Sequence, residues 1–140
     1  MDRSATAVWE GGIKDGKGAL TTETGALSSK PYSFSARFEN GEGTNPEELI
    51  AAAHAGCFTM DLSGRLERAG MVAKKLGTKA TVTLEKGGKG FAVTRIHLDV
   101  TANIPNVDEP AFQAAVQQAR EGCPISRLLN TEITVSARVE

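Results

Sequence analysis

The chain has 140 residues, 40% of them hydrophobic and 24% charged, with a formal net charge of -1. That length suits one core and reads as a single domain, residues 1–140. Lys and Arg are scattered without a basic run, which excludes the electrostatic footprint of a nucleic-acid binder. No stretch approaches the roughly 18 apolar residues of a membrane span. Met1–Glu10 also lacks the apolar run of a secretory signal, so a cytoplasmic setting is expected. In that compartment standing disulfides are rare, and those that form are mostly catalytic or redox-sensing. The chain holds two cysteines, Cys57 and Cys123.

In chain order, Ala5–Glu10 reads as a strand, Gly11 to Gly18 as turn chemistry, and Ala19–Glu23 as a second strand. In Tyr32–Glu39, Tyr32, Phe34, Ala36 and Phe38 alternate with Ser33, Ser35 and Arg37. That period predicts a third strand with Arg37 on its polar face. Asn45 as N-cap, Pro46 at the first helical position and Glu48 three residues after the cap then open a helix. It is expected to run to Ala69, about 36 Å, with Gly70 closing it. Thr78–Lys86 and Phe91–Ala102 form a hairpin across Gly87-Gly88-Lys89-Gly90, with Ala80, Val82, Leu84, Ile96, Leu98 and Val100 facing inward. A second helix begins near Asp108, buries Phe112, Ala115, Val116 and Ala119, and ends at Gly122. A short helix, Pro124–Leu129, has Cys123 at its N-cap. The last strand, Thr131–Val139, buries Ile133, Val135, Ala137 and Val139. The order β-β-β-α-β-β-α-α-β gives an α+β fold class.

Cys57 lies in Ala-Ala-Ala-His-Ala-Gly-Cys-Phe (residues 51–58), surroundings that suit a small buried hydrophobe. The small residues around it also leave the helix surface thin enough for a ligand or another chain segment to approach. Cys123, in Gly-Cys-Pro-Ile-Ser (residues 122–126), faces helix amides that favour a thiolate. Local fields alone therefore rank Cys123 as the better nucleophile. His54 stands three residues before Cys57, but a third and fourth ligand at zinc spacing are missing, so no metal site is expected. Glu48 suits a capping carboxylate and Arg37 a solvated cation. Neither a phosphate-binding glycine loop nor a G-x-S-x-G elbow occurs.

The stretch from Gly43 through Asn45-Pro46-Glu47-Glu48-Leu49 to Ala53-His54-Ala55-Gly56-Cys57-Phe58 resembles the signature of the OsmC family. So does Gly122-Cys123-Pro124-Ile125-Ser126. The likeness extends from Trp9-Glu10-Gly11 through Tyr32-Ser33-Phe34 and Arg37-Phe38 to the final strand, and it favours the osmotically inducible branch over the organic hydroperoxide resistance (Ohr) branch. The resemblance implies antiparallel sheets packed around a long central helix, in an intertwined homodimer with active sites at the subunit interface. It also implies a thiol-dependent peroxidase acting on organic hydroperoxides, and on hydrogen peroxide less well. Cys57 would attack the peroxide and become a sulfenic acid, and Cys123 would resolve it as a Cys57–Cys123 disulfide. Arg37 and Glu48 would activate Cys57. No metal or bound cofactor is implied; an external thiol, for which a dithiol such as a lipoyl group is one candidate, would reset the enzyme.

The resemblance reverses the local ranking of the thiols, and a full guanidinium charge outweighs the half charge of a helix end. Nine residues separate Glu48 from Cys57, which puts them on opposite faces of one helix. A site shared by two chains is therefore expected. Leu49, Phe34, Phe38, Phe58 and Met60 are candidates to line the approach of an apolar peroxide. A thiol redox sensor or a hydrophobic-ligand-binding module of the same fold is the alternative reading, and a structural disulfide a third.

Overall fold

The computed structural model describes residues 1–140, and the chain divides into two compact units, Met1–Leu49 and Ile50–Glu140. In the first unit β1 (Ala5–Glu10), β2 (Lys17–Thr22) and β3 (Lys30–Tyr32) form an antiparallel sheet in that order. Gly18 is paired with both Trp9 and Tyr32. A Cβ at Gly18 would lie 2.3 Å from the Tyr32 ring, so only hydrogen fits there. The Trp9 and Tyr32 rings meet across this gap at 5.4 Å.

The expected strand over Tyr32–Glu39 is instead a short helix, α1 (Phe34–Phe38). Ser33 Oγ caps it by accepting from the Ala36 amide at 3.0 Å. The alternating apolar pattern does not distinguish the two outcomes, because residues 34 and 38 share a face at both periods. In the helix the Phe34 and Phe38 rings meet at 4.9 Å, the i,i+4 contact that favours helix. Ala36 is the one buried hydrophobic residue of this unit, and Val8 and Ile13 are exposed.

The long helix, α2 (Pro46–Arg68), begins in the first unit and continues as the first helix of the second. Asn45 Oδ1 accepts from the Glu48 amide at 2.8 Å. At the other end Gly70, with φ +81°, lets the Met71 amide reach Leu66 O and the Gly70 amide reach Glu67 O, a Schellman closure. His54, Phe58, Leu62 and Leu66 recur every four residues and are buried. Each of the apolar three contributes about 1.5–3 kcal/mol by leaving water.

β4 (Lys75–Gly87) and β5 (Gly90–Asn103) form the expected hairpin. Ile96, Leu98 and Val100 are fully buried, and Ala80 and Val82 pack against them. The register shifts between Thr83 and Leu84. The extra residue is Thr94 on β5, so Leu84 pairs with Val93, which packs half-buried against the core. α3 (Glu109–Gly122) and α4 (Pro124–Leu128) follow, with Asp108 Oδ1 capping α3 through the Ala111 amide. β6 (Glu132–Val139) then lies parallel to β5. The sheets are thus antiparallel everywhere but at this last pair, where the two helices supply the crossover a parallel pair requires. α3 is held to β6 by Arg120 Nη1 donating to Ile133 O at 3.0 Å and by Gln113 Nε2 donating to Ala137 O at 3.2 Å.

Candidate active site at the thiol pair

Both cysteines are free thiols. α2 carries Cys57 half-buried at the edge of the core, beside the fully buried Phe58. The junction of α3 and α4 carries Cys123, which reaches no solvent. Cys123 closes α3 through its amide, which donates to Ala119 O at 3.0 Å, and caps α4 through its sulfur, which accepts from the Ser126 amide at 3.3 Å. The structure thus brings together residues 66 positions apart: Cys123 lies near enough to the Cys57 thiol to raise its pKa.

Burial is the largest influence on the Cys57 thiol and pushes its pKa above the ordinary value. The Ile125 amide, which donates to the sulfur, pulls the other way. Cys123 and the Asp61 carboxylate add to the upward push. Asp61 in turn pairs with Arg65, one turn further along α2. Arg65 lies so close to Gly122 that a Cβ there would sit 2.4 Å from its Nη2. Cys57 opens onto a cleft of about 300 Å³ lined by Met60, Asp61, Gly64, Arg68 and Pro124.

Behind the thiols lie two polar residues with no counterpart on the surface. Ser126 Oγ is 3.1 Å from Cys123 Sγ and 2.7 Å from His54 Nε2. His54 is fully buried, its Nδ1 has no hydrogen-bond partner, and burial lowers its pKa. Sequence reasoning noted His54 as a neighbour of Cys57 but missed Ser126. The available signal was its place three residues after an N-cap cysteine, where its amide must meet the cap.

In the first unit Arg37 faces a carboxylate, but that carboxylate is Glu47 and not the expected Glu48. Arg37 Nη2 donates to Glu47 Oε1 at 2.7 Å and Nε to the same oxygen at 3.1 Å. The guanidinium also lies 5.2 Å from the Phe38 ring centroid. Glu48 is taken up by the start of α2: its amide meets Asn45, and its Oε2 accepts from Thr44 Oγ1 at 2.7 Å. One residue along a helix turns the side chain by 100°, enough to exchange the two roles. Arg37 borders a pocket of about 130 Å³ with Trp9, Tyr32, Phe34 and Phe38 among its walls. Of the expected apolar lining residues, Phe34 and Phe38 are here and Met60 is at the Cys57 cleft, whereas Phe58 is core. No group of three or more His, Cys, Asp or Glu is arranged to hold a metal ion. No helix is long and apolar enough to cross a membrane.

The chain is 46% identical over 140 residues to the peroxiredoxin OsmC of Escherichia coli (strain K12), covering 100% of this chain and 98% of that protein. It is 26% identical over 128 residues to the organic hydroperoxide resistance protein OhrB of Bacillus subtilis, covering 88% and 89%. The crystal structure of OhrB superposes with a TM-score of 0.68 at 25% identity over 98% of both chains. An OsmC-like protein of unknown function from Vibrio cholerae superposes at 0.78 with 16% identity over 99% of both, which speaks to the fold alone. The family profile described as OsmC-like protein matches residues 39–138, and the chain belongs to the OsmC family.

Proposed function

We propose that this chain is a cysteine-based peroxidase that reduces organic hydroperoxides, and hydrogen peroxide less well, through Cys57 and Cys123. The observation that carries the reading is the proximity of the chain's two thiols, one at a cleft and the other buried. Cys57 thiolate attacks the peroxide oxygen, the O–O bond breaks, and the alkoxide leaves and takes a proton as the alcohol. Cys123 attacks the resulting sulfenic acid, the S–O bond breaks, and a disulfide and water form. An external thiol, with a dithiol such as a lipoyl group as the proposed candidate, returns both cysteines to thiols in a cytoplasmic setting.

Arg37, held by Glu47, is the proposed activator, and it acts across an intertwined homodimer. Two facts support a site shared by two chains. Within the second unit burial, Cys123 and Asp61 raise the Cys57 pKa and Ile125 alone lowers it, so a cation beside the sulfur would favour the reactive thiolate. The first unit buries one hydrophobic residue and leaves Val8 and Ile13 in water, too small a core to stand without a covering surface. A partner chain would meet both needs. The aromatic pocket beside Arg37 would then take the apolar body of the peroxide.

The test is peroxide consumption with a dithiol. Cys57→Ser and Arg37→Ala are expected to abolish it, and full activity in Cys57→Ser overturns the assignment. Mixing the two inactive chains distinguishes a shared site from a private one. A mixed dimer places an intact Cys57 opposite an intact Arg37, and about a quarter of wild-type activity is expected on random pairing. No recovery rules out the shared site. A single oxidation without turnover would favour a redox sensor.

A further inference from the structure

His54 and Ser126 have no part in the chemistry above, yet they form a continuous buried chain from Cys123 to an imidazole. We infer that Ser126 and His54 are a proton relay serving Cys123 in the resolving step, Ser126 in contact with the reacting sulfur and His54 acting through it; this rests on the peroxidase reading of the thiol pair. The distances are 3.1 Å from Cys123 Sγ to Ser126 Oγ and 2.7 Å from Ser126 Oγ to His54 Nε2.

A buried thiol is a poor nucleophile until its proton has somewhere to go, and Cys123 has no solvent to receive it. A hydroxyl between a thiol and an imidazole runs in two directions. With Cys123 as thiol, S–H donates to Ser126 Oγ, whose O–H donates to His54 Nε2. With Cys123 as thiolate, His54 Nε2–H donates to Ser126, which donates to the sulfur. The two states differ by the shift of two protons along existing hydrogen bonds and need no heavy-atom movement. Burial keeps His54 neutral at rest, the state that accepts, and an imidazolium formed there returns its proton readily. The vacant Nδ1 is in keeping with this: a histidine placed to brace the fold would have both nitrogens satisfied.

The step balances without an added reagent. The Cys123 proton passes to Ser126 while the Ser126 proton passes to His54. The thiolate attacks the Cys57 sulfenic sulfur, the S–O bond breaks, and the departing hydroxide takes up the proton held by the relay. One thiol and one sulfenic acid become one disulfide and one water.

The experiment follows disulfide closure after a single equivalent of cumene hydroperoxide, by rapid quench and mass analysis, in wild type, Ser126→Ala, Ser126→Thr and His54→Gln. Glutamine keeps a hydrogen-bonding group at 54 but cannot accept a proton, so it separates a relay from a brace. Closure is expected to slow about 10- to 100-fold in Ser126→Ala and His54→Gln, with the deficit on closure and not on the first oxidation of Cys57. Ser126→Thr keeps the hydroxyl and is expected to restore closure to within about threefold. A second arm needs no peroxide: the disulfide is formed with diamide and opened with dithiothreitol. The half-buried Cys57 sulfur is the one within reach, so Cys123 departs as thiolate toward the Ser126 hydroxyl, and opening is expected to slow about tenfold in Ser126→Ala. Closure and opening within twofold of wild type in both Ser126→Ala and His54→Gln overturn the relay. If wild type forms no sulfenic acid with peroxide, the peroxidase reading fails and the second arm alone decides the relay.

Discussion

The His54 imidazole reaches no solvent, and burial lowers its pKa below the ordinary 6.5. The folded chain therefore binds fewer protons than the unfolded chain in mild acid. The stability tied to a neutral His54 is complete above about pH 6.5 and is lost as pH falls toward the folded-state value. Denaturant melts from pH 7 downward are expected to show a loss of up to about 1.4 kcal/mol per pH unit that His54→Gln removes. An unchanged slope in that variant would place the titration elsewhere. The carboxylate beside Arg37 offers a second test at this scale. Glu47→Gln is expected to cut peroxide consumption about tenfold, because Arg37 loses the charged fork that directs it, while Glu48→Gln stays within about twofold. Equal losses would return Glu48 to the site. Cys57 and Arg37 enter the proposed site through the family resemblance, because local pattern alone reads the first as core and the second as solvated, whereas the helix-end field already singles out Cys123. The choice of Glu47 over Glu48 was not legible in the sequence, since both follow Pro46 and the difference is a turn of the helix.

At the scale of elements, signals that act through the backbone were read well. Asn45, Pro46 and Gly70 placed both ends of α2, and Asp108 and Gly122 placed those of α3. Asn45→Ala is expected to destabilise the chain by about 1 kcal/mol in denaturant titration, since the Glu48 amide loses its acceptor. The misread element was α1. Five residues are too few for period two and period 3.6 to diverge when phenylalanines stand at both ends, and the Ser33 cap decides between them. The bulge at Thr94 was not legible for another reason. A register shift is a property of two paired strands, and neither strand alone announces it. The parallel pairing of β6 was likewise outside local pattern, because strand direction follows from how α3 and α4 return the chain.

For the whole molecule, the outer face of α2 is the informative surface. Ala52, Ala53, Gly56, Met60 and Ser63 are exposed there, and Met60 keeps 79% of its surface in water. If the homodimer covers this face, Met60→Glu is expected to shift sedimentation from dimer to monomer and to lower peroxide consumption at least tenfold. A dimer that persists with full activity would place the interface elsewhere. The parallel β5–β6 pair carries a different consequence, one of timing during synthesis. β5 gains its second neighbour only when the final eight-residue strand has been made. The crossover between them, which holds Cys123 and Ser126, is pinned to that strand through Arg120 and Gln113. A nascent chain that has already released Cys57 from the ribosome therefore lacks the support that sets Cys123 beside it. The thiol pair is therefore fully supported only once β6 lies beside β5 and anchors the crossover.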